Sequence, residues 1–309
     1  MPQNIMVTGG AGFIGSHLVD AYVNNGHKVV IVDDLSTGKR DNLNSEAKFY
    51  EIDIKSPDVE DIFVEEEIDI VNHQAAQASA QMSINDPTFD AVTNIIGTLN
   101  LLEICRRREV QKFIFSSSVA TYGEQEFFPA DESHPQRPVN PYGVAKLSAE
   151  KYIRLYFDQL GLDYTIFRYA NVYGPRQDPF GEGGVVAVFS QKMDAGEQPL
   201  INGDGMQTRD FIYVGDVVEA NLLATGSADV GEYNLSTSKE TSVIGLFREI
   251  KDITGSSLEP KYGPAKKGDQ QRSVIDNTKA ISTFGWKPKV DLRVGLTETV
   301  SFFKERVNI

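Results

Sequence analysis

Residues Ile5-Met6-Val7-Thr8-Gly9-Gly10-Ala11-Gly12-Phe13-Ile14-Gly15-Ser16 run from an apolar strand through a glycine turn into Ser16-His17-Leu18-Val19-Asp20-Ala21-Tyr22-Val23, a stretch of helical character. Gly9 permits the tight turn, Gly12 lets a diphosphate approach the backbone, and Gly15 lets the helix pack close on the strand. The free N–H groups and positive end of that helix then face the phosphates. Glycine-rich turns are common, so context decides. Here a second strand, Lys28-Val29-Val30-Ile31-Val32, ends in Asp33, eighteen residues beyond Gly15, as a dinucleotide site requires. A carboxylate there accepts both ribose hydroxyls and repels a 2′-phosphate, which points to NAD rather than NADP.

Short apolar runs alternate with helical stretches through the first half of the chain, the pattern of a parallel sheet covered on both faces. Further strands are expected at Lys48–Ile52, ending in Asp53, and at Ile68–His73, leading into the small-residue turn Ala75-Ala76-Gln77-Ala78. Another, Lys112–Phe115, closes on Ser116-Ser117-Ser118, and one more lies at Tyr164–Arg168. Asp53 could sit near an adenine or be a solvated strand end, and the missing bulk at Ala75 would let a cofactor lie close. His73 reads as a hydrogen-bonded core histidine. The spacing of Val92, Ile95, Ile96, Leu99 and Leu102 predicts one helix over Asp90–Arg107. A second long helix should begin at Pro141, capped by Asn140.

Beyond Asn171 glycine, proline and charge become frequent, and the regular alternation stops. The fold class expected is α/β, a Rossmann-type doubly wound parallel sheet with a smaller interleaved α+β substrate domain. The first domain would take residues 1–171 and about 211–238, with Phe211–Val214 and Tyr233–Leu235 returning to the main sheet. The second would take 172–210 and about 239–309. A length of 309 residues accommodates both.

A formal net charge of −14 argues against a nucleic-acid partner, whose phosphates need a basic surface. It also requires the chain to gather its few cations wherever an anionic ligand binds. No apolar run approaches membrane-spanning length, and Met1–Asn4 lead straight into the first strand, leaving no room for a signal peptide. The single cysteine, Cys105, sits in an apolar helical setting and permits neither an internal disulfide nor a cysteine metal cluster. A cytoplasmic protein without a metal is expected.

Three groups suggest chemistry: Ser118 at a strand end, with Tyr142 and Lys146 on the helix that follows. A spacing of four puts the phenol and the ammonium on one helical face. A tyrosine, with a pKa of about 10, becomes a useful base only when positive charge stabilises its phenolate. Lys146 and an oxidised nicotinamide would supply that charge, while Ser118 shares a hydrogen bond with the substrate hydroxyl.

Thr8–Ser16, Phe115–Ser118, Pro141–Lys146 and Arg168-Tyr169-Ala170-Asn171-Val172-Tyr173-Gly174-Pro175-Arg176 together resemble the extended short-chain dehydrogenase/reductase superfamily, specifically its NAD-dependent epimerase/dehydratase family and, within it, the UDP-glucose 4-epimerases. The likeness extends to Phe284-Gly285-Trp286-Lys287-Pro288. It implies a homodimer that holds NAD and inverts C4 of a UDP-sugar through a transient 4-keto intermediate. The cofactor contacts it implies are Gly9, Gly12, Phe13, Ile14, Gly15, Asp33, Asp53, Ile54, Ala75, Asn94, Tyr142 and Lys146. On the substrate side it implies Ser118, Tyr122, Asn171, Arg176, Arg209, Lys266, Asp269 and Ser273. Val119 and Ala120 stand where related dehydratases and decarboxylases carry an acid, which weakens those alternatives; a UDP-glucuronate epimerase and a non-catalytic NAD-binding sensor are the others. Small Ser273 occupies a position whose bulk limits the sugar pocket in the family, so N-acetylhexosamines are expected to fit. Gln74, Ser236 and Ser238 depart from the family pattern.

Overall fold

Neighbouring side chains of the first strand enter different cores: Ile5 and Val7 pack on one face of a sheet and Met6 on the other. That double burial is why the run is apolar at every position, as in a sheet with helices on both sides. In the computed structural model, which describes residues 2–180, 184–265 and 270–307, β1 (Asn4–Thr8) leads into α1 (Phe13–Asn24), β2 (Lys28–Asp33) and β3 (Lys48–Glu51). The chain returns through α2 (Val59–Glu65) to β4 (Ile70–His73). Helices α3 (Ala80–Asn85), α4 (Pro87–Ala91) and α5 (Gly97–Arg107) precede β5 (Lys112–Ser118), and α6 (Pro141–Leu160) precedes β6 (Asp163–Tyr169).

The predicted helix over Asp90–Arg107 is interrupted. It begins earlier, at Pro87, where Asp86 accepts a hydrogen bond from Phe89 N (2.9 Å), and it loosens into a π-turn at Val92–Ile96 before α5. Gly97 presses on Ile54, for a Cβ there would lie 2.6 Å from Ile54 Cδ1. The π-turn lies next to that contact and carries Asn94 inward. Asn140 caps α6 as expected, its Oδ1 accepting from Gly143 N (2.8 Å) with Pro141 first in the helix.

Then come β7 (Asn171–Tyr173), α7 (Val185–Asp194), β8 (Leu200–Asn202), β9 (Thr208–Arg209), β10 (Phe211–Tyr213), α8 (Val214–Thr225) and β11 (Gly231–Leu235). The described chain closes with β12 (Thr241–Ser242), α9 (Val243–Thr254), β13 (Lys261–Gly263), β14 (Arg272–Ser273), α10 (Thr278–Phe284) and α11 (Leu292–Val307). Seven parallel strands pair in the order β11-β6-β5-β4-β1-β2-β3. The order reverses between β1 and β4, so the crevice at their carboxyl ends is where a doubly wound sheet takes ligands.

Tyr233–Leu235 joins the main sheet as expected, but Phe211–Tyr213 does not. Strand β10 pairs with β7 in a separate ribbon, Phe211 opposite Asn171. Phe211 and Tyr173, edge to face with ring centroids 6.4 Å apart, belong to a third core built on α7, α9 and α11, and burial of these aromatics draws the strand there. Trp286 and Ala280, by contrast, pack in the core on the α1 face of the main sheet.

Candidate functional site

The glycine turn folds as a cradle. Gly9 has φ +68°, and a Cβ there would strike Ala75 N at 2.7 Å, so β1 and the turn after β4 touch backbone to backbone. At Gly15 a Cβ would fall 2.1 Å from Gly9 O. Gly12 differs: beyond its chain neighbours, only Gly9 O among the described residues, at 3.1 Å, lies within 4 Å of its would-be Cβ. It caps α1 without a side-chain acceptor, and the first turn, with Phe13 and Ile14, carries no acid. The opening is thus lined by backbone N–H groups at a helix start and fits a diphosphate.

Asp33 is nearly buried at the end of β2. Its Oδ2 accepts from Ala11 N and its Oδ1 from Leu35 N, each at 2.9 Å. Burial raises its pKa, and the two backbone bonds oppose that rise. Both oxygens keep spare lone pairs. Asp53 is turned to Lys55, with an ion pair at 2.8 Å, and Ile54 is buried against Gly97. Asn94 is 3% exposed; its amide exchanges hydrogen bonds with the Gln77 backbone (both 2.9 Å) and donates to Asp90 Oδ1 (3.0 Å). It holds the loop after β4. His73 is a core residue, held by Thr8 (2.7 Å) and Thr98 (3.0 Å) and pushed down to about 3 by burial.

Ser118, Tyr142 and Lys146 meet at the carboxyl end of β5. Lys146 is 3% exposed; its Nζ donates to Ser116 O at 2.8 Å and sits 4.7 Å from the Phe115 ring centroid and 5.9 Å from that of Tyr142. The Tyr142 phenol lies close enough to the Ser118 hydroxyl for that group to lower its pKa, and Ser118 Oγ accepts from Ala120 N at 3.2 Å, fixing its rotamer. Burial pushes the Tyr142 phenol up to about 12; the neighbouring Ser118 hydroxyl lowers it and the Asp90 charge raises it. Burial also brings the Lys146 ammonium down to about 8, opposed by Asp90 and Glu150.

On the second side of the crevice, Asn171 opens β7 and its N–H donates to Asp210 O at 2.9 Å. Arg209, half-buried on β9, donates to Thr208 O at 2.7 Å and lies opposite Ser273 of β14 in register. Ser273 is 2% exposed. Lys266 and Asp269 lie outside the described residues. Arg176 pairs with Asp20 of α1 at 2.7 Å, while the preceding Pro175 carbonyl accepts from His17 Nε2 at 2.9 Å.

Tyr122 requires a correction as an expected substrate contact. It has no exposed surface; its hydroxyl donates to Asn234 Oδ1 (2.7 Å) and accepts from Arg168 Nη1 (3.0 Å). Arg168 in turn grips Glu150 at 2.7 and 3.0 Å, and Ser117 donates to the same carboxylate at 2.6 Å. Tyr122 belongs to that buried network, because a phenol this deep needs partners inside the protein.

The departures from family pattern acquire local reasons. Asp210, 1% exposed, accepts from Thr237 N, Thr237 Oγ1 and Ser238 N at 2.7–3.0 Å. Ser236 and Ser238 both donate to Ile275 O (2.7 and 2.9 Å), tying β11 to the segment after β14. Gln74 donates to Asn72 Oδ1 at 2.6 Å and to Tyr169 OH at 3.4 Å. Among the residues at the site, Asp90 and Gln77 escaped the sequence reading. The signal present was an acid four residues before Asn94 in an otherwise apolar helical stretch.

Among the described residues no helix is long and apolar enough to cross a membrane, and no group of histidine, cysteine and acidic side chains could hold a metal ion. The model of the NAD dependent epimerase/dehydratase family matches residues 5–236. A crystal structure of UDP-glucose 4-epimerase with UDP-glucose from Thermotoga maritima is 50% identical, with a TM-score of 0.97 over 98% of this chain and 99% of that one. The Thermus thermophilus UDP-glucose 4-epimerase in complex with NAD is 40% identical, with a TM-score of 0.93 over 97% and 99% of the two chains. The UDP-glucose 4-epimerase of Mycolicibacterium smegmatis is 42% identical across 308 residues, 97% of this chain and 98% of the relative.

Proposed function

The chain belongs to the NAD-dependent epimerase/dehydratase family, and from that premise we propose that it is an isomerase interconverting UDP-glucose and UDP-galactose at C4. The observation that carries the reading is the meeting of Ser118, Tyr142 and Lys146 at a strand end on the same carboxyl edge of the sheet as the Gly12 cradle. Gly9, Gly12, Phe13, Ile14 and Gly15 would hold the cofactor diphosphate and Asp33 its adenosine ribose, with Ala75 leaving room alongside. When bound, NAD supplies the hydride acceptor and a positive ring charge.

Tyr142 takes the proton of the sugar 4-hydroxyl. Its neutral phenol, held up to about 12 by burial, needs a cation nearby to ionise, and Lys146 is the one at hand. Ser118 shares the same hydrogen bond and keeps the proton path short. When the keto sugar presents its other face, Tyr142 returns the proton and the epimer leaves. Asn171 and Arg209 would anchor the nucleotide diphosphate, since charge-assisted bonds to phosphate are the strong ones. Lys266 and Asp269 complete the proposed substrate set, and small Ser273 would leave room for a 2-N-acetyl group. The sugar nucleotide would lie between the sheet domain and the domain on the third core.

The proposed assembly is a homodimer. Phe89, Val92 and Ile96 on one helical run, and Val144, Tyr152 and Leu155 on α6, are exposed apolar side chains at helical spacing, a pair of faces suited to a second copy. The proposed location is the cytoplasm, where the lone thiol Cys105, buried and raised in pKa by burial, stays reduced.

The test is incubation of the purified protein with UDP-glucose, UDP-galactose, UDP-GlcNAc and UDP-glucuronate at varied added NAD, with products separated by chromatography. Interconversion of C4 epimers without net NADH is expected, lost by about 10²–10⁴-fold in Tyr142→Phe. A stable keto or decarboxylated product, or no turnover, refutes the assignment.

A further inference from the structure

Asp90 sits on α4, which packs across α6. It is 1% exposed. One carboxylate oxygen is fully used, Oδ1 accepting from Gln77 Nε2 at 2.7 Å and from Asn94 Nδ2 at 3.0 Å. The other, Oδ2, is buried and has no hydrogen-bond partner among the described residues. A buried carboxylate with a vacant oxygen costs stability unless something nearby answers its charge.

The surroundings leave one group to answer it. The titratable and charged side chains facing the Lys146 pocket are Tyr142 and Glu150 on α6, Asp90 on α4, His73 on β4 and Arg168 on β6. His73 is neutral and held by two threonines. Glu150 already faces Arg168 in a buried ion pair at 2.7 Å and accepts from Ser117 and Gln136. Its charge is therefore matched at close range by Arg168, and Asp90 stands ahead of it among the charges that favour the Lys146 ammonium. Lys146 donates to a neutral carbonyl, Ser116 O, and its ammonium has protons to spare. Asp90 on α4 and Lys146 on the helix α6 packed against it are thus opposite buried charges that act on one another without a direct ion pair.

We propose that Asp90 is a positioning residue of the tyrosine–lysine site, the counter-charge that keeps the Lys146 ammonium protonated and seated between Ser116 and Tyr142. The proposal rests on the epimerase reading only for its consequence in turnover. Gln77 and Asn94 serve as its mounting: they aim the carboxylate from the loop after β4 and from the π-turn, and Gln77 is itself fixed by Ser79 O at 2.9 Å. The loop after β4 and the helix that carries the base are thereby linked through one charge.

The test is Asp90→Asn, whose Oδ1 can still accept from Gln77 and Asn94 while the vacant oxygen becomes a donor. The first readout needs no activity: the 13Cε resonance of Lys146 in 13C-lysine-labelled protein, assigned by its absence in Lys146→Met, is followed against pH. The sign is set by charge. Removing a neighbouring carboxylate disfavours the ammonium, so the midpoint, near 8 in the parent, should fall by about one pH unit. The second readout is turnover: the alkaline limb of kcat should move to lower pH by the same amount. Should Asp90→Asn not fold, Asp90→Glu replaces it and must leave both the midpoint and the limb in place. An unchanged Lys146 midpoint in Asp90→Asn, or a displaced one in Asp90→Glu, overturns the proposal. An unmoved limb with uniformly lower kcat means a structural role only and also overturns it. Absence of turnover in the parent protein refutes the epimerase reading alone, and the resonance still decides the role of Asp90.

Discussion

Gly12→Ala separates what the glycine turn does for the ligand from what it does for the fold. Gly12 has φ −81° and ψ −174°, a backbone conformation open to any residue. A methyl there meets only Gly9 O, at 3.1 Å. Relaxing that contact toward an ordinary separation of roughly 3.5 Å takes a few tenths of an ångström, and with the slightly poorer helix cap the folding cost is about 1 kcal/mol or less. The methyl does, however, occupy the opening beside the α1 N–H groups. Losing even one charge-assisted hydrogen bond to a phosphate costs about 1.5–3 kcal/mol, or roughly 10–150-fold in affinity. Gly15→Ala is the contrast: its methyl lies 2.1 Å from Gly9 O, 2.8 Å from Gly9 C and 3.0 Å from Gly10 Cα. All three are backbone atoms, so the turn itself must shift, at a cost of about 1–3 kcal/mol. The assay is urea unfolding of NAD-stripped protein, since bound ligand would add its own stability, beside NAD released per subunit by acid. Gly12→Ala should unfold close to the parent yet retain NAD at least about tenfold more weakly; Gly15→Ala should lose both. Full NAD retention in Gly12→Ala, or equal destabilisation of the two variants, would refute the cradle.

Glu150→Gln leaves Arg168 buried without its counter-charge; unfolding should show a loss of about 3–5 kcal/mol, and a loss below 1 kcal/mol would mean the network re-forms around another acceptor. Burial lifts Asp210 to about 6 even though Thr237 and Ser238 bond to it. Its folded value lies above the unfolded one, so burying the charge costs stability at neutral pH, and that cost is relieved as pH falls through 6. Between pH 7 and 5 the parent should gain about 1 kcal/mol relative to Asp210→Asn in urea unfolding; parallel profiles would contradict this. Ser273→Tyr should lose at least about tenfold in turnover of UDP-N-acetylhexosamines while keeping UDP-glucose. Undiminished N-acetyl activity would show that this position does not set the pocket.

The chain itself determined the sheet half of the molecule. Runs such as Lys28–Asp33, apolar at successive positions and ended by turn or acidic residues, can be buried on both faces only in a parallel sheet. The i, i+4 spacing of Tyr142 and Lys146 needed no tertiary information, because helix geometry alone puts them on one face. What only the tertiary structure decided depends on distant partners. Phe211–Tyr213 has the composition of a main-sheet strand, and burial against Tyr173 diverted it to a separate ribbon. Tyr122 looks like any tyrosine near a site until Arg168 and Asn234, distant in sequence, claim its hydroxyl. Asp90 reads as an ordinary acid near a helix start. Its meaning comes from burial, from one oxygen taken by Gln77 and Asn94, and from a lysine on another helix. Local periodicity is written in neighbouring residues, whereas a buried charge is defined by what the fold brings to it.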